Sequence, residues 1–108
     1  MIRFARALLG GTLLSSAYAE LAISGKYPLQ PSGQGVPGIQ EEGFAYGPVA
    51  AIFNSQRIAF IAGGSAGEST WIDMYPGLGW DVVILSNYDH IDIVAIAGAE
   101  WRAITQQA

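Results

Sequence analysis

The spacing of apolar positions along this chain changes period twice. Ile2, Ala5, Leu8 and Leu9 recur at helical spacing, and Gly10-Gly11 then stops the run as a C-cap pair does. A second short helix is expected from Ser15. Residues 26–43 hold three prolines, four glycines and almost no periodic apolar pattern, which predicts a loop with extended pieces. From Phe44 the pattern becomes short runs rich in Val, Ile, Phe, Trp and Tyr: 44–53, 58–62, 70–75 and 80–85, each expected to be a strand. Their connections, Asn54-Ser55-Gln56-Arg57 and Pro76-Gly77-Leu78-Gly79, are turn chemistry and short enough only for antiparallel neighbours, so the sheet is expected to be a meander. In 80–85 only Asp81 is polar, which predicts a central strand buried on both faces. Helical spacing returns after Asn87. Ile91, Val94, Gly98 and Trp101 share one face, Asp89 and Asp92 are placed to cap the N-terminus, and Arg102 lies in the last turns. The expected fold is α+β: an antiparallel sheet of about four strands (44–86), with helical structure at 1–25, a loop at 26–43 and a closing helix at 89–107.

Composition narrows what such a domain can be. With 108 residues the chain is one domain at most, or part of one. It is 51% hydrophobic and 13% charged, which leaves little charge to solvate a small globule, so some apolar surface is expected to meet a partner. The absence of cysteine excludes disulfides, thiolate zinc sites and cysteine nucleophiles. A net charge of -4, with five Lys and Arg spread from Arg3 to Arg102, provides no basic patch for nucleic acid. No apolar run approaches the roughly 18 residues of a membrane-spanning helix. Residues 1–20 also fit a secretory leader, with Arg3 and Arg6 as the basic region, 7–14 as the apolar stretch and Ala17-Tyr18-Ala19 as a cleavage box.

Several segments carry a family resemblance. Residues 1–15 end in Leu13-Leu14-Ser15, Tyr46-Gly47 opens the strand region, and Ala62-Gly63-Gly64-Ser65-Ala66-Gly67 is glycine-rich. Trp71-Ile72-Asp73-Met74-Tyr75-Pro76 is followed by Trp80-Asp81-Val82-Val83-Ile84-Leu85-Ser86-Asn87-Tyr88-Asp89. In this order they resemble the C-terminal part of the serine beta-lactamase family that includes class C enzymes, D-alanyl-D-alanine carboxypeptidases and related esterases. The last hairpin is the most specific match, and the resemblance spans essentially the whole chain. It implies a partial beta-lactamase/penicillin-binding-protein-like fold, with residues 1–19 as an internal helix rather than a leader. The family is often periplasmic or secreted, and the resemblance leaves the compartment of this chain open.

The family's chemistry requires a serine one helical turn before a lysine, a tyrosine with a partner asparagine, and a third motif with Lys or His, a small residue and Gly. The first two are absent: Lys26 is the only lysine, and position 23 is Ile23. The third motif falls on Ile61-Ala62-Gly63, with Ile61 where the family has its proton-bearing residue. The resemblance thus implies a truncated or degenerate member with no intact catalytic residue. It would retain Gly64, whose N–H takes the place of an oxyanion-hole donor, and an edge against which a peptide-like substrate would lie. The missing elements would come from an N-terminal portion or a companion chain.

Other constellations compete. Gly63-Gly64-Ser65-Ala66-Gly67 fits the nucleophile elbow Gly-x-Ser-x-Gly, making Ser65 an alternative nucleophile, with Asp73, Asp81 or Asp89 and then His90 following in hydrolase order. That motif belongs between a strand and a helix, whereas here it precedes a strand-like run, so a glycine turn is the preferred explanation. His90, the only histidine, is expected to be a solvated residue at a helix start. No cluster at ligand spacing suggests a metal, and no cofactor is expected. Glu41-Glu42 reads as a solvated pair, and Trp71, Trp80 and Trp101 as core residues rather than the lining of a ligand groove. From a different class, the opposing expectation is a small secreted β-rich binding module with a cleaved leader.

Overall fold

The structure is a computed structural model that describes residues 1–29, 35–88 and 91–106. Two helices come first, α1 (Ile2–Leu9) and α2 (Ser16–Ile23). Gly10 caps α1 by donating its N–H to the Arg6 carbonyl, and Gly11 turns the chain away at φ 83°. Ser15 opens α2, its hydroxyl accepting from the Tyr18 N–H.

One antiparallel sheet follows in simple sequence order: β1 (Tyr27–Pro28), β2 (Glu41–Phe44), β3 (Val49–Phe53), β4 (Gln56–Ser65), β5 (Glu68–Tyr75) and β6 (Trp80–Ser86). Helix α3 (Ile93–Thr105) closes the chain, capped by Asp92, whose carboxylate accepts from the Ala95 N–H at 3.0 Å.

The sheet sits between two helical layers because its strands alternate. Ala51 and Phe53 of β3, Ile58 and Phe60 of β4, and Trp71 and Tyr75 of β5 point to one face, where Ala97 and Trp101 of α3 cover them together with Val36. Here Phe60 and Trp71 stack at 4.9 Å between centroids, and Trp101 meets Phe53, Phe60 and Trp71 edge-on at 5.6, 5.3 and 6.4 Å. On the other face Ala59, Ile72 and Met74 pack against Ala5 and Leu8 of α1 and Ile23 of α2.

The α+β class and the antiparallel meander match the sequence-based expectation, but the sheet has six strands rather than about four. Both additional strands come from segments with weak apolar period. β1 lies within 26–43, expected to be loop, and β2 begins there; they are held by main-chain pairing of Tyr27 with Phe44 and Pro28 with Gly43. The run expected as a single strand from Phe44 to Phe53 is broken at 45–48, where the Ala45 N–H bonds the Pro48 carbonyl and Gly47 takes φ 105°. A second correction concerns β6. Its apolar run predicted a central strand, yet it is the sheet edge, with Trp80 54% and Leu85 65% exposed. Periodicity registers how apolar a strand is, and here neither face of the end strand is fully covered. The closing helix starts at Ile93, four residues later than expected; Asp89 and His90 lie outside the described residues.

Candidate functional site

The residues of the third-motif resemblance all lie on β4, and pairing on its two sides is unequal. β3 covers β4 only from Gln56 to Phe60, where Phe60 faces Val49, whereas β5 follows it from Ala59 through Ser65. The stretch 61–65 therefore projects past β3, and among the described residues no strand pairs with that flank. The two-residue loop Asn54-Ser55, with φ of 47° and 62°, closes on Phe53 and Gln56. Such a loop makes its flanking residues a mutually hydrogen-bonded pair. Alternation then sends the main-chain groups of Ile58 and Phe60 toward β3, and those of Ile61, Gly63 and Ser65 toward β5. The main-chain groups of Ala62 and Gly64 face the open flank. The second hairpin agrees, since Ser65 and Glu68 close across the two-residue loop Ala66-Gly67.

Side chains in this stretch leave the flank accessible. Residues 61–67 are all exposed, and Ile61, at 39%, lies on the face covered elsewhere by α1 and α2. The Thr70 hydroxyl donates to the Gly63 carbonyl at 3.0 Å, pinning the hairpin. A Cβ on Gly64 would stand 3.2 Å from the Glu68 carbonyl oxygen, so glycine lets the two strands close here. Ser65 is part of this hairpin, not of a strand-to-helix elbow. Its hydroxyl donates to the Glu68 carboxylate at 2.8 Å, and no histidine among the described residues stands beside it.

No known protein family, curated protein or solved structure matches this chain.

One other feature has the shape of a ligand site. An open groove of about 730 Å³ runs along α2, β2 and β3, lined by Glu20, Lys26, Glu41, Glu42 and Arg57. Its two cations are engaged within the chain. Arg57 pairs with Glu20 at 2.8 Å, which holds the Glu20 carboxyl below its ordinary pKa, and the Lys26 ammonium donates to the carbonyls of Leu21 and Ser24 at 2.6 Å. Among the described residues no group of three His, Cys, Asp or Glu is arranged to hold a metal ion.

A buried polar cluster forms around Asp73, which the sequence offers only as an elbow partner. Asp73, fully buried on the α3 face of β5, accepts through one carboxylate oxygen from the indole N–H groups of Trp71 and Trp101, at 2.8 and 2.9 Å. Burial, with Glu100 beside it, pushes its pKa up to about 9. The Tyr75 hydroxyl donates to Glu100 of α3, and burial raises the phenol's pKa well above its ordinary range. A legible signal was the single acid in Trp71-Ile72-Asp73-Met74-Tyr75, placed by strand alternation on the same face as both aromatics. Glu100 gave no such signal. Of the three tryptophans expected in the core, Trp71 and Trp101 are there and Trp80 is exposed. Asp81 is half-buried on the opposite face, where burial raises its pKa and Arg6 opposes the rise.

Proposed function

We propose that this chain is the sheet-forming C-terminal portion of a beta-lactamase-related, penicillin-recognising serine hydrolase domain, in fragment or degenerate form, and that it does not turn over substrate alone. The observation that supports this best is the open flank of β4. The Gly64 N–H, at the place of the family's oxyanion donor, faces it and can donate to an incoming carbonyl, while the main chain of Ala62 and Gly64 can pair with an extended peptide-like ligand. Hydrolysis further needs a nucleophile, a base and a proton carrier. Ile61, at the family's Lys or His position, can neither donate a proton nor bind a carboxylate. The chain would then serve as a scaffold for elements supplied by an N-terminal portion or a companion chain.

The test is hydrolysis of a chromogenic beta-lactam and a short-chain p-nitrophenyl ester by the folded chain and by a Ser65→Ala variant. No turnover by either is the expected result. Turnover by the chain that disappears in Ser65→Ala would overturn the scaffold role in favour of a Ser65 esterase.

A further inference from the structure

Asp73 and Glu100 approach each other in the layer between β5 and α3. One Asp73 oxygen is occupied by two indole N–H groups, and one Glu100 oxygen by the Tyr75 hydroxyl. The remaining oxygen of each is buried and accepts no hydrogen bond from any donor among the described residues. Tyr75 lies two residues along β5 from Asp73 on the same face, and Trp101 follows Glu100 on α3, so the bonds from Tyr75 to Glu100 and from Trp101 to Asp73 hold the two carboxyl groups as neighbours. Two ionised carboxylates set side by side, each with one oxygen shielded from solvent, would repel. A single proton between them turns two orphan acceptors into a donor and an acceptor.

We propose that Asp73 and Glu100 share one proton, and that this proton latches α3 to the sheet, so that docking of the closing helix weakens as the solution becomes alkaline. The surroundings allow no other compensation. Among the described residues, β5 presents Tyr75 to the pair and α3 presents Glu100, while β4 offers Ile58 and Phe60, β6 offers Val82 and Ile84, and the 35–39 segment offers Val36. Asp81 and Arg57 lie on the opposite face of the sheet, and the Arg102 side chain is exposed, running past Gly98. Among the described residues no ion pair joins a Lys or Arg to either carboxyl.

The sign follows from linkage. The carboxyl pKa is raised in the folded state to about 9, against about 4 when unfolded, so over that window the folded chain holds one more proton than the unfolded chain. The stability contributed by the shared proton is full below about pH 4 and is lost as pH rises through about 9. The folding equilibrium constant therefore falls by up to about tenfold per pH unit across the window.

Urea unfolding of the chain, followed by tryptophan fluorescence at several pH values across that window, reads this slope directly. Glu100→Gln and Asp73→Asn each place a permanent N–H donor where the proton would sit, and each is expected to flatten the slope by about one proton relative to the parent. The contribution of Asp81 is common to all three proteins and cancels in the difference. The folded parent at neutral pH is also expected to show the infrared carbonyl stretch of a protonated carboxylic acid, absent from both variants. Lack of that band in the parent, or an unchanged slope in whichever variant folds, would overturn the latch. A purely structural role would alter the unfolding midpoint but leave the slope unchanged.

Discussion

At the scale of single residues, Asp73 shows how one polar group organises an aromatic core. Trp71 and Trp101 each carry one N–H, and both are satisfied by the same Asp73 oxygen, which fixes the edge-on setting of Trp101 against Trp71 and Phe60. Replacing Asp73 with alanine removes that acceptor and strands two buried donors. Each unsatisfied donor costs about 1–3 kcal/mol, so Asp73→Ala is expected to destabilise the chain by about 2–6 kcal/mol, measured as a fall in the urea midpoint. The isosteric Asp73→Asn keeps an acceptor for both indoles and is expected to retain the fold. Sequence pattern could place Asp73 among aromatics, because strand alternation is local. It could not show that Glu100, 27 residues away, would meet it, since that depends on how α3 is rotated over the sheet.

At the scale of elements, turns and caps set where each piece begins, and these were partly legible. Asp92 was expected as a cap of the closing helix, and its carboxylate does receive the Ala95 N–H. Asp92→Ala is expected to cost about 1 kcal/mol, read from thermal or urea unfolding. The β3–β4 hairpin turns on Asn54-Ser55, both left-handed and neither glycine. Asn54 has a second task, since its amide donates to Thr105 at 2.9 Å and thereby ties the hairpin to the end of α3. Ser55 has no such side-chain tie, and its N–H to Gln40 survives substitution. A left-handed non-glycine residue costs about 1–2 kcal/mol and glycine loses about 0.5–1 in chain entropy, so Ser55→Gly is expected to stabilise by about 0.5–1 kcal/mol. The short strands β1 and β2 escaped sequence analysis because their positions are fixed by backbone pairing. Gly43 between them is buried, and an added Cβ would lie 3.0 Å from the Tyr27 carbonyl oxygen. Close backbone approach leaves no apolar period to detect.

At the scale of the whole molecule, the sheet is well covered in its middle and open at its margins. β6 is an edge strand with Trp80 and Leu85 exposed, the 61–65 stretch of β4 has a flank that no described strand pairs with, and the helices and the connection between them leave Phe4, Leu13, Tyr18 and Leu21 exposed. No helix is long and apolar enough among the described residues to cross a membrane. Unpaired edges template pairing with another chain. Concentration-dependent self-association is therefore expected in sedimentation, and Ala62→Lys, placing a charge beside the open flank, is expected to reduce it; an unchanged sedimentation profile would show that this flank takes no part.

What the sequence determined alone was local in origin: the switch from helical to strand period, the antiparallel meander implied by short turns, the cap of the last helix, and the lack of an intact Ser-x-x-Lys element. Each depends on residues within a few positions of one another, so hydrophobic spacing and turn chemistry suffice. Tertiary structure decided the rest. It put β6 at an edge despite its apolar run, exposed Trp80, recruited residues 27–28 and 41–44 into the sheet, left Ala62 and Gly64 facing an unpaired flank, and brought Asp73 to Glu100. These outcomes depend on strand order, on where a neighbouring strand stops and on which face a helix covers, and such contacts join positions whose separation along the chain carries no periodic signal.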